Sequence, residues 1–186
     1  MFVYFCWQGG QSGHIYTSAD GIHLNGLGQT SRCGDNSSFF YNPFRECFVF
    51  SIRQGWPYRA RAYHEHAEFS HAARWELDAP VRWARTDRLD LPDALVGDEP
   101  QLYDLNAVAY ESVLLGTFAV FYGPQNPVCA KTGNPKIIDL QIGYSRDGFH
   151  WHRPDRSWAS CRATGRKRTA CANRPWRRSV RYVRKI

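Results

Sequence analysis

The chain has 186 residues, among them seven Trp, ten Tyr, eleven Phe, 15 Gly and ten Pro, with a formal charge of +7. That length suits one domain with a core of its own. Apolar residues do not recur over long stretches with a period of about 3.6, which excludes a helical body, and no run of roughly 18 apolar residues exists to cross a membrane as a helix.

The charge is divided unevenly. Residues 156–186 hold eleven of the 24 Lys and Arg and no Asp or Glu, so residues 1–155 hold 13 basic and all 17 acidic residues, a formal −4. Attraction to polyanions therefore belongs to the basic tail alone, and nucleic acid is not an expected partner of the body. The six cysteines (6, 33, 47, 129, 161 and 171) form no Cys-x-x-Cys and do not pair with His at zinc-ligand spacing. His64 with His66, and His150 with His152, share strand faces but lack a third ligand. No metal and no cofactor is expected.

In chain order, Met1–Gly10 reads as a strand closing on a Gly-Gly turn, and its basic-poor start does not look like a signal peptide. His14–Ser18 is a strand running into the Asp20-Gly21 turn, and the same Ser-x-Asp-Gly pattern returns at Ser145–Gly148. Asp-Gly suits tight turns because glycine accepts positive φ and Asp bonds nearby N–H groups, so Asp20 and Asp147 read as structural. From Asp35 an aromatic run, an Asn-Pro turn and a second apolar run predict a hairpin through Arg53. Displaced by a constant 69 residues, Asp35 falls on Asp104 and Tyr41 on Tyr110, which predicts a second hairpin through Tyr122. Between them, Tyr58–His64 alternates small and large residues as a strand. Arg59 and Arg61 lie on one face of it, where they would suit a carboxylated sugar. The Pro- and Asp-rich stretch Glu76–Pro100 reads as a long solvated loop. Trp7, Trp56, Trp75 and Trp83 read as core.

The pieces Gly34–Arg45, Gln101–Ser112 and Tyr144–Pro154 together resemble the five-bladed β-propeller glycoside hydrolase superfamily. The resemblance covers residues 1–155 and implies an all-β partial propeller, about two to three blades of four-stranded antiparallel sheet, followed by an irregular basic tail over 156–186. It implies carboxylates at the starts of the innermost strands, here Asp35 and Asp104 as catalytic acids, with Tyr41, Arg61 and Tyr110 binding a carbohydrate substrate. Glycosidic cleavage needs one carboxyl to protonate the leaving oxygen and another to act as base or nucleophile. The superfamily's third acid has no counterpart in Trp158–Arg168, so the sequence is expected to be an incomplete copy. A non-catalytic carbohydrate-binding or protein-interaction propeller is the alternative expectation.

Overall fold

The computed structural model describes residues 1–55, 58–154 and 156, together with the backbone of a strand at 182–185. The fold is all-β, three antiparallel sheets of which none closes on itself. The first contains β1 (Phe2–Trp7), β2 (Gly13–Ser18), β3 (Asn25–Gln29) and β11 (Tyr182–Lys185), in the order β11-β1-β2-β3. The second runs in chain order through β4 (Ser38–Asn42), β5 (Cys47–Gly55), β6 (Arg59–His66) and β7 (Val81–Ala84). The third holds β8 (Gln101–Tyr110), β9 (Val113–Gly123) and β10 (Ile137–Ser145), with β9 in the middle. Two short helices, α1 (Phe69–Ala72) and α2 (Asn126–Thr132), connect strands.

The second sheet lies between the other two, which explains why β4 and β5 are apolar on both faces. Phe39, Phe48, Phe50 and Ile52 point to one side and pack with Val3, Phe5 and Ile15 of the first sheet and Phe69 of α1. Phe39 and Phe50 are paired across the strands and their rings lie 5.5 Å apart. Phe40, Val49 and Tyr63 point to the other side and pack with Leu114 of β9, while Phe149 and Trp151 close the same cluster. Leu102, Leu105, Phe118 and Val120 continue it inside the third sheet. Gly116 is required there, because a Cβ would stand 2.5 Å from the Trp151 ring.

Both Ser-x-Asp-Gly turns form alike. Asp20 Oδ1 accepts the N–H groups of Ile22 and His23, and Oδ2 lies 2.6 Å from His23 Nδ1. Asp147 Oδ1 accepts those of Phe149 and His150, and Oδ2 lies 2.7 Å from His150 Nδ1. In each turn the serine hydroxyl, Ser18 or Ser145, accepts the glycine N–H at 2.8 Å. The bonds from His23, side chain first, hold the Asp20 carboxyl well below the ordinary range. Partial burial opposes that effect at Asp147, but its bonds from His150, Phe149 and Ser145 prevail and lower it also.

The solvated loop expected over Glu76–Pro100 is corrected in two places. Val81–Ala84 is a strand that extends the second sheet beyond β6. Asp90 is buried, its side chain shut off from solvent, and it holds both Arg153 (Nη2–Oδ2 2.8 Å) and Arg156 (Nη1–Oδ1 2.9 Å). Gln141 and Asp87 complete this network. Guanidiniums beyond the loop in sequence, invisible to a local reading, pull its carboxylates inward. Trp75 is buried, and Trp7 and Trp83 are partly buried against the core; Trp56 lies outside the described residues. So does most of the expected irregular tail, except Arg156 and the strand β11, whose backbone pairs with β1 from Phe2↔Lys185 to Phe5↔Tyr182.

Candidate functional site

The face of the second sheet turned toward the third changes character along its strands. At one end it carries Phe40, Val49 and Tyr63; toward the other it carries Ser38, Ser51, Arg53, Arg59 and Arg61. Arg53 stands directly opposite Arg61, and Arg59 is two residues along the same face. Three guanidiniums on one face of a hairpin repel one another, so this end requires acceptors.

Arg61 is 1% exposed and finds its acceptors within the protein. Its Nε donates to Ser51 Oγ (2.9 Å), Nη2 to the Ser51 and Asn36 carbonyls (2.6 and 2.7 Å), and Nη1 to the Tyr103 carbonyl (3.2 Å). The same Nη2 lies 3.6 Å from Asp104 Oδ1. One buried nitrogen thus joins the residue that follows Asp35 to the Asp104 carboxylate. Local geometry assists: Asn36 adopts φ 57°, a left-handed turn conformation that Asn tolerates. A bulge in β8 between Leu102 and Asp104 displaces Tyr103 from the ladder. Ser38 Oγ donates to the Leu105 carbonyl at 3.2 Å, fixing the two strand starts side by side.

Asp35, in the turn before β4, is ion-paired to Arg53 and its side chain is 37% exposed. Asp104 is more enclosed; its Oδ1 accepts the Leu105 N–H at 2.8 Å and Oδ2 the Asn106 side-chain amide at 2.6 Å. Each faces a guanidinium, Arg53 beside Asp35 and Arg61 beside Asp104.

The other residues expected at the site stand elsewhere. Tyr110 is six residues from Asp104 on one extended strand, about 20 Å away at roughly 3.3 Å per residue, and is exposed at the hairpin end. Tyr41 lies toward the matching end of β4, its ring 5.0 Å from Phe48 and packed on the opposite face of the sheet. Arg61, buried and internally bonded, holds the site together and offers no surface to a substrate.

Two residues that sequence reasoning did not single out bear on the site, Arg53 directly and Asp98 as a further enclosed carboxyl. Arg53 pairs with Asp35, and its register opposite Arg61 could have been found by counting across the hairpin. Asp98 packs against Gly123, the residue of β9 beyond the Gln101–Phe121 pair, where φ is +93° and a Cβ would stand 2.4 Å from Asp98 Oδ2. That oxygen is buried without a hydrogen-bond partner among the described residues. Arg59, noted from sequence for its alternation, donates to Gln101 Oε1 (2.7 Å) and Gln125 Oε1 (3.4 Å), and its guanidinium lies over the Tyr103 and Phe121 rings.

A cleft of about 860 Å³ opens elsewhere, lined by Trp83, Arg85, Arg88, Phe118, Trp151 and Arg153 among others, and includes neither Asp35 nor Asp104. No group of three or more His, Cys, Asp or Glu among the described residues is arranged to hold a metal ion. Compared with known proteins, the chain matches no protein-family model and no curated protein.

Proposed function

We propose that this chain is a glycoside hydrolase-like β-propeller protein, each sheet a blade and β4 and β8 the inner strands of neighbouring blades. Asp35 and Asp104 flank the glycosidic bond of a bound carbohydrate. The observation that carries the reading is Arg61: its Nη2 spans 2.7 Å to Asn36 and 3.6 Å to Asp104, tying together two strand starts that each bring an aspartate. In this reading the two carboxylates supply the base or nucleophile and a fixed negative charge facing the oxocarbenium-like sugar. The leaving-group proton comes from a third carboxyl, and the candidate is Asp98, whose Oδ2 is buried without a hydrogen-bond partner among the described residues.

Turnover of an aryl glycoside set tests the proposal. Asp35→Asn and Asp104→Asn should each lower kcat/KM at least about a thousandfold, the scale on which removing a charge-stabilising group at a reacting centre is felt. Asp98→Asn should spare substrates with good leaving groups and halt those with poor ones, because only the latter need the proton. Unchanged turnover in both of the first two variants would dismiss the glycosidase reading.

A second reading, sugar binding without hydrolysis, draws on the guanidiniums that face both aspartates. In that case no aryl glycoside is turned over, and Asp104→Asn retains saccharide affinity.

A further inference from the structure

We infer that the saccharide bound at this site is acidic, and that Arg59, assisted by Arg53, selects it through a carboxylate or sulfate ester on the sugar. This rests on the carbohydrate reading above and adds the substrate class to it. Three guanidiniums, Arg53, Arg59 and Arg61, share one face of the β5–β6 hairpin. Among the described residues, the carboxylates within ion-pair distance of these guanidiniums are Asp35, paired with Arg53, and Asp104, beside Arg61. Of the three, Arg59 has no carboxylate within ion-pair distance among the described residues.

Among the described residues the partners of Arg59 are neutral. Gln101 and Gln125 supply amide oxygens, and Tyr103 and Phe121 supply ring faces with centroids 5.5 and 4.9 Å from the guanidinium carbon. Those contacts orient the fork without cancelling its charge. Nε of Arg59 and Nε of Arg53 are buried without a hydrogen-bond partner among the described residues, and the Arg53 side chain keeps 28% of its surface in solvent. Burial and the neighbouring Arg59 charge both lower the Arg53 pKa, consistent with two cations held within electrostatic reach. Repulsion of this kind is relieved when an oxyanion enters between the forks, and planar guanidinium donors match carboxylate and sulfate oxygens. The aromatic rings beneath Arg59 keep it from swinging away to solvent, so the donors are already placed when the ligand arrives.

The full chain is titrated calorimetrically with a galactose disaccharide, its galacturonate counterpart and a galactose sulfate. Tighter binding of either acidic sugar than of the neutral one, by about tenfold or more, is the expected result, and the stronger of the two identifies the anion. Raising salt from roughly 50 mM to roughly 500 mM should erode that preference and leave neutral binding unchanged. In Arg59→Gln the preference should fall to about threefold or less. The salt series on the wild-type chain decides the matter if that variant does not fold. Equal binding of neutral and acidic sugars overturns the inference while leaving the carbohydrate reading intact. Binding of no saccharide at all overturns both.

Discussion

Two aspartates in matching turns show how much a single side chain settles. Asp147 accepts two backbone N–H groups, the Ser145 hydroxyl and the His150 ring, and its carboxyl is held below the ordinary value. A carboxyl whose folded pKa lies under its unfolded value of about 3.9 contributes stability above that pH. The contribution drains away as pH falls through the folded value. Asp147→Asn should therefore cost about 1 kcal/mol at pH ~6, a figure reduced for its partial exposure. The difference should shrink as pH drops from ~4 toward ~2. Urea midpoints at the two extremes check this, and an equal gap at both would contradict it. The turns were legible in sequence because Ser-x-Asp-Gly encodes acceptor, donor and positive φ within four residues. The role of Arg61 was not legible, because alternation with alanine says which face a side chain takes and nothing about what lies across it.

Among elements, the stretch between β6 and β8 departs furthest from its local composition. Its prolines and acids read as solvated loop, yet Asp90 is buried between Arg153 and Arg156, more than sixty residues later. Truncating one partner of a buried pair strands the other charge, so Asp90→Ala should cost about 3–5 kcal/mol. Glu99→Gln, on an exposed side chain of the same stretch, should stay within about 0.5 kcal/mol. Equilibrium urea unfolding of both variants makes the comparison, and equal effects would mean the network contributes nothing. Gly116 belongs at this scale too: Gly116→Ala forces the Trp151 ring out of its seat, at about 1–3 kcal/mol. Hairpins were readable because each is local. The Asp90 network was not, since its partners lie far apart in sequence.

Across the whole molecule, the strands of the third sheet carry apolar residues on both faces. Toward the second sheet lie Leu105, Leu114 and Phe118. Away from it lie Val108, Tyr110, Leu140, Ile142 and Tyr144, each between 42% and 57% exposed. In β10 the alternation is turned over, with Asp139 and Gln141 inside and Leu140 and Ile142 outside. The described residues leave those outer side chains open. Ile142→Lys should then shift the unfolding midpoint by less than about 0.5 kcal/mol and reduce binding of a hydrophobic dye. A loss of several kcal/mol would show that this side chain is covered in solution.

Arg61 joins sheet cohesion to the aspartate site in a single group. Its hydrogen bonds brace two strand starts whether or not any bond is ever hydrolysed there. The aspartates could be exchanged one at a time with the strands still braced, but losing this guanidinium would unfasten the scaffold. Retention of the arginine across relatives would accordingly record selection for assembly, independently of the acids beside it.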